Sequence, residues 1–411
     1  MRALLTRVHR WLGLATALFL IVAGLTGAVT SWDHEIDEWL NRDLYLNQST
    51  GPFLDPMALA DRVAAADTRA RVSYVALNFE PGHNAGYFVE PRLHPQTAQP
   101  YALDYNQVFV NPVTGEVVGR RDANAVSLSR QSLMPFLRSV HTSLHLPVMW
   151  GTDRIGYWIM GVVALIWLID SFVGLVLTLP RRQRRLGGAI PGRTWWARWR
   201  PAWLVRWRAG GYKLNFDLHR AGGLWTWIAI VVIAFTSFSL NLYREVFYPA
   251  LSLVSQTTPG PYETRPMAPW GTHIEPRLGF AEVVAVARQQ ALARGINLPP
   301  GGAYYEARMG FYNVSFFRPE SELGEAGMGL ANLYIDGDTG RVLSQNVPWR
   351  GSAADVFVQL QLPLHSGRIL GMPGRIYMSV MGLVVTMLSI TGIVIWTRKR
   401  RARRLRAITA E

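Results

Sequence analysis

Four segments of the chain are apolar almost without interruption: Trp11 to Ser31, Ile155 to Leu179, Ala221 to Leu242 and Ile376 to Thr397. About 20 such residues in helical conformation cross the roughly 30 Å hydrocarbon core of a bilayer, so the pattern predicts four transmembrane helices. Between them, residues 33–150 and 244–373 alternate apolar and polar positions and are punctuated by turn residues. Tyr105 to Val118 reads YNQVFVNPVTGEVV, and Leu333 to Leu343 reads LYIDGDTGRVL. Each predicts a strand, a turn carrying Thr-Gly and a second strand. Helical periodicity precedes each hairpin, at Pro56 to Ala66 and Phe280 to Arg294.

Two halves of one plan emerge from this order: helix, α+β segment, helix, and then the same again. HRWLGL opens the first half at His9, and HRAGGLW opens the second at His219. SVHTSLHLP at Ser139 to Pro147 and LQLPLHSG at Leu360 to Gly367 precede the closing helices, which end alike in Phe172-Val-Gly-Leu-Val-Leu and Thr391-Gly-Ile-Val-Ile-Trp. The expected layout is therefore residues 1–32, a first transmembrane helix; 33–150, a first outer domain; 151–180, a second helix; 181–220, a basic loop; 221–243, a third helix; 244–373, a second outer domain; 374–397, a fourth helix; and 398–411, a basic tail. The first run resembles a signal peptide with its three arginines, but it is too long for one and is read as a retained helix.

Charge orients this layout. The chain has 42 Lys and Arg against 28 Asp and Glu, a net charge of +14, and half of the basic residues lie in 1–11, 181–220 and 398–411. Those segments carry only Asp217 and Glu411 among the acids. By the positive-inside rule both termini and the central loop face the cytoplasm, and the α+β segments face the outer side. Clustering at helix ends makes anionic lipid, not nucleic acid, the partner of the positive charge. The Trp-rich stretch holding Trp195, Trp196, Trp199, Trp203 and Trp207 reads as an interfacial belt, or as a docking site for an electron donor.

Candidate chemistry rests on histidine. Of nine histidines, His9, His141, His219 and His365 lie one beside each apolar run, where a neutral imidazole suits axial ligation of haem iron. His9 and His219 begin helices one and three, while His141, His145 and His365 lie at the opposite approach to helices two and four. His145 follows His141 by one helical turn, so it competes as ligand or neighbours the ligand. His34 has Arg244 as its counterpart and breaks the duplication, and His83, His94 and His273 read as surface residues of the outer domains. The bland alternative is that each boundary histidine sits among lipid head groups. Asp170 is the single formal charge inside the second run, either a functional acid or a pair for a polar neighbour such as Asn241 or Ser237. Without cysteine there is no iron–sulfur cluster or thiolate ligand. Hydrolase motifs are missing, and GEAGMG at Gly324 to Gly329 lacks the strand-before, helix-after setting of a dinucleotide site.

The chain resembles the PepSY-associated transmembrane helix family over nearly its whole length. The resemblance is carried by HRWLGL at His9, Leu137 to Leu146, FDLHRAGGLW at Phe216, PLHSGRILGMPGR at Pro363 and the two TG hairpins, which are similar to PepSY units. It implies an α-helical membrane protein with four transmembrane helices and two periplasmic α+β PepSY-like domains. It also implies two haem b groups held by His9, His141, His219 and His365, and reduction of ferric iron in a siderophore or similar chelate. Electrons then come from membrane quinol or a separate reductase, since no nicotinamide or flavin domain is present. A non-enzymatic reading also stands: a membrane-anchored PepSY module that binds and regulates an envelope protein or peptide. A transporter is weaker, with one intramembrane acid to line a path.

Overall fold

The computed structural model describes residues 1–97, 99–181, 194–321 and 329–408. Parts of the basic loop and tail, and most of GEAGMG, lie outside the described residues. Helix α1 spans Arg2–Thr30 and is followed by a short α2 at Asp33–Leu40 and by α3 at Pro56–Ala66. Helix α4, Leu133–Ser143, leads into α5, Ile155–Thr178. Beyond the central loop come α6 at Gly211–Trp225, α7 at Trp227–Asn241, α8 at Phe280–Ala293, α9 at Gln361–Ser366 and the long α10 at Gly371–Ile408. Three helices, α1, α5 and the one closing the chain, are each long and apolar enough to cross a membrane. The third expected span is not one straight helix. α6 and α7 meet at a 71° bend, and the pair passes the same test only when taken together.

Thr226 occupies the break at φ −106°, and its hydroxyl and its amide both donate to the Gly222 carbonyl, at 2.8 and 3.2 Å. Gly222 and Gly223 allow α6 to lie close to α10, where a Cβ on Gly222 would meet Met387 and Leu388 at 3.1 and 3.6 Å. α1 packs along α10 in the same manner: Gly24 and Gly382 each lie against the other's backbone, so that a Cβ on either has no room. Small residues at such crossings are how helices associate in lipid, where burial of apolar surface gives no driving force. α5 lies between α1 and α7.

Helix ends are tied across the bundle. The Arg2 guanidinium donates to the Leu177 and Leu179 carbonyls at the end of α5, at 2.9 Å to Leu179. The Arg375 guanidinium donates to the Ser31 carbonyl at the end of α1 at 2.7 Å and also pairs with Glu35. Both satisfy carbonyls that a helix terminus leaves free.

The eight strands form one antiparallel sheet. They are β1 Ala70–Ala76, β2 Ala85–Pro91, β3 Gln107–Val110, β4 Val117–Arg121, β5 Pro300–Glu306, β6 Phe311–Phe316, β7 Ala331–Asp336 and β8 Val342–Asn346. Their spatial order is β4-β3-β2-β1-β5-β6-β7-β8, two four-stranded meanders joined edge to edge. At the seam Tyr74, Val75 and Ala76 pair with Tyr304, Ala303 and Gly302. Only glycine fits at Gly302, because a Cβ there would strike the Tyr74 ring. α3 and α8 cover one face, and Leu59, Val63, Val75, Val110, Val283, Ala287, Val314 and Leu333 share a single core. Where the alternating pattern suggested two outer units, the strands of both halves share that sheet and core.

Both expected hairpins exist, with the same turn. In the first, Asn111 Oδ1 accepts from the Val113 and Thr114 amides at 2.9 and 3.2 Å, and Gly115 follows at φ +75°. In the second, Asp336 Oδ1 accepts from the Asp338 and Thr339 amides at 3.1 and 2.7 Å, and Gly340 follows at φ +68°. An Asx side chain bonding its own backbone two residues on, and a glycine at positive φ, close both turns.

Candidate histidine pairs

The four histidines singled out in the sequence come together as two pairs, each with one member from each half. His9 on α1 faces His219 on α6 with ring centroids 6.1 Å apart and planes inclined at 58°. His141 on α4 faces His365 on α9 at the same 6.1 Å, with planes at 44°. His141 packs against α1 near Ala23, so the pairs are separated along α1 by 14 to 17 residues, about 21 to 26 Å at 1.5 Å per residue.

Every one of the four rings is anchored through Nδ1. His141 Nδ1 lies 3.0 Å from the Ala23 carbonyl and 3.2 Å from Thr26 Oγ1. His365 Nδ1 lies 3.1 Å from Thr236 Oγ1, with the Ile233 carbonyl also engaged. His219 Nδ1 lies 3.0 Å from the Leu388 carbonyl and 3.1 Å from Thr391 Oγ1. His9 Nδ1 lies 2.9 Å from Asp170 Oδ1. Carbonyl and carboxylate oxygens only accept. The three threonine hydroxyls already donate to Val22, Val232 and Met387 carbonyls at 2.7 to 2.8 Å. Nδ1 must therefore carry the hydrogen in each ring, and in a neutral ring so held Nε2 has the lone pair. Among the described residues no hydrogen bond engages any of these four Nε2 atoms. Burial pushes His141 down, and burial together with His141 pushes His365 down to about 4, so this pair is neutral at physiological pH.

Glycine gives three of the rings their space. The nearest histidine atom to a Cβ added at Gly27 is His141 Cε1 at 2.8 Å, at Gly174 it is His9 Cε1 at 3.4 Å, and at Gly392 it is His219 Cε1 at 3.2 Å. A side chain larger than hydrogen at Gly27 displaces the His141 ring.

The remaining histidines lie elsewhere. His145, at φ +52°, packs edge-on against Phe136 with centroids 5.0 Å apart, and its buried Nδ1 has no hydrogen-bond partner. It does not join His141 and His365. His34 stands beside Tyr45 and Glu38, His83 beside Glu38 and Glu80, and His94 beside Tyr101. His273 is buried on the sheet against Tyr305. Of the aromatic and basic residues of the second half, Tyr305 and Tyr312 are core residues that donate to the Ile274 and Leu278 carbonyls. Arg308 is held by the Ala268 carbonyl, Asp153 and Trp270. Asp170 has as its partner neither Asn241 nor Ser237 but His9. Asn241 donates to the Ser237 carbonyl instead, and Ser237 borders His365.

The anchors Thr26 and Thr236 were not singled out in the sequence, although they carried a signal: each follows the opening histidine of its half by 17 positions. Chemically, each pair can offer one metal ion two imidazole nitrogens. With a metal–nitrogen bond of about 2.0 Å and a ring centre ~1.2 Å beyond the nitrogen, two imidazoles on opposite sides of one metal would stand roughly 6.4 Å apart, centroid to centroid. Among the described residues no group of three or more His, Cys, Asp or Glu could hold a metal ion, so nothing here builds an all-protein cage.

The family model described as PepSY-associated TM region matches residues 6–399. No curated protein matches the chain.

Proposed function

The chain belongs to the family described as PepSY-associated TM region, and we propose on that premise that it is a haem b oxidoreductase of the bacterial inner membrane that carries electrons outward to ferric iron in a siderophore or similar chelate. The observation that carries the reading is the two histidine pairs, each 6.1 Å apart with both Nδ1 atoms tied. Two imidazoles per site, with no group of three or more metal-binding side chains among the described residues, would suit an iron whose other ligands come from a macrocycle. His9 and His219 would hold one haem, and His141 and His365 the other. When bound, haem with two histidine ligands supplies one-electron transfer and leaves no position open for oxygen.

What the chain itself contributes is orientation and insulation. The Ala23, Ile233 and Leu388 carbonyls and the hydroxyls of Thr26, Thr236 and Thr391 fix the tautomer and the plane of three rings, and Asp170 fixes the fourth. Apolar α1, α5, α7 and α10 keep the space between the pairs out of water. In this reading the bent α6–α7 pair is the fourth span, both termini are cytoplasmic, and the joined sheet is two PepSY-like units in the periplasm. A quinol in the membrane, or a separate reductase, gives its electrons to the His9/His219 side. A quinol loses two protons and two electrons and so reduces two ferric ions, one electron each. Hard oxygen ligands hold the resulting Fe(II) less tightly, and the iron leaves the chelate.

The test is spectroscopic. Detergent-purified protein is expected to show sharp reduced b-type bands and two haems per chain by pyridine haemochrome. His9→Ala or His141→Ala is expected to halve the haem content, while His145→Ala leaves it unchanged. A colourless chain that cannot be reconstituted overturns the reading and leaves the envelope-binding module.

A further inference from the structure

The two halves match at the four histidines and behind His141 and His365, but not behind His9 and His219. Gly13 follows His9, and Gly223 follows His219, by the same four positions. The side chain facing Gly13 is Asp170, with Oδ2 at 3.6 Å from a Cβ built there, and the side chain facing Gly223 is Leu388, with Cδ2 at 4.0 Å. Asp170 and Leu388 both lie four residues before the glycine that borders a ring, Gly174 beside His9 and Gly392 beside His219. They are equivalent positions. The second half has leucine there and uses only its main-chain carbonyl to hold His219. The first half has a carboxylate, 5% exposed, whose single ion-pair partner among the described residues is His9.

A carboxylate kept in an apolar helix bundle is costly, and a carbonyl would have held the ring as well, as it does for His219. What the carboxylate adds is charge. Accepting the Nδ1 hydrogen, it draws the imidazole toward imidazolate, makes Nε2 a stronger donor and favours the more oxidised state of a metal bound there. Among the described residues neither ring of the His141/His365 pair has such a partner; both are held by neutral carbonyls and hydroxyls. Resting on the haem reading given above, we infer that Asp170 is a positioning residue that lowers the reduction potential of the His9/His219 site below that of the His141/His365 site, so that an electron delivered at the first runs downhill to the second.

Spectroelectrochemical titration of the purified, haem-loaded full chain tests this. The wild type is expected to show two one-electron waves. Asp170→Asn keeps shape and hydrogen-bond acceptor but removes the charge; it is expected to raise the lower wave by at least a tenfold change in its redox equilibrium, about 59 mV for one electron, with the upper wave unmoved. Asp170→Glu is expected to keep the waves apart. If Asp170→Asn does not assemble, Asp170→Leu, which installs the residue of the other half, carries the same expectation. Unmoved waves in the neutral variants, a shift of the upper wave instead, or an equal shift in the Glu variant overturns the inference. A wild-type chain without haem overturns the function proposed above, whereas two haems with unmoved waves overturn this inference alone.

Discussion

Each of the four paired histidines is held through Nδ1, so the group behind each ring sets how it is presented to its partner. Four histidines at duplicated positions beside apolar runs are visible in the sequence, and they are the four that the fold brings face to face. The competition between His141 and His145 could not be settled by spacing, because residues one turn apart share a helical face. A helix end separates the two rings: α4 stops at Ser143, Leu144 and His145 take positive φ, and the turn carries the His145 ring away to Phe136. Asp170 was conspicuous as a buried charge, but its partner lies 161 residues away on another helix, beyond the reach of local pattern. A second buried charge was invisible for the same reason. Arg121 on β4 and Asp37 on α2, both almost fully buried, form a two-pronged ion pair at 2.8 and 3.0 Å, completed by Gln107 and Tyr45. Asp37→Ala leaves the guanidinium buried without its counter-charge and is expected to destabilise the protein by about 3 to 5 kcal/mol, measured by denaturant titration in detergent.

Elements with a strong period were legible to within a residue or so. α3 occupies Pro56–Ala66 as expected, because Asp55 caps it and proline begins it, and α8 ends at Ala293. The hairpins were legible because Thr-Gly after an Asx residue is local chemistry. Gly340→Ala, which forces a Cβ into positive φ and against Leu278, is expected to cost about 1 to 2 kcal/mol in the same denaturant titration. The bend between α6 and α7 was not legible. Apolar residues stand on both sides of the break, at Leu224, Trp225 and Trp227, so the pattern does not mark it. A pattern of apolar residues reports burial, not axis direction.

For the whole molecule, the duplication was legible and its closure was not. The repeat predicts two similar units, but whether two edge strands stay free or pair is decided by contacts between residues more than 200 positions apart. Here β1 and β5 pair, with Gly302 giving Tyr74 the room to cross the seam, and eight strands share one core. The same relation governs the histidines: each pair takes one ring from each half. Residues 1–193 and 194–411 produced as separate chains are therefore expected to give no reduced b-type spectrum singly and to restore it when co-expressed. A spectrum from either fragment alone would contradict the pairing.

That crossing of the halves also says how such a molecule is inherited and altered. With one ring of each pair coming from each half, one half meeting a second copy of itself would already have brought both pairs together. Fusion into one reading frame is what lets the copies diverge, so that an aspartate can stand in one half and a leucine in the other; a symmetric dimer must carry both changes or neither.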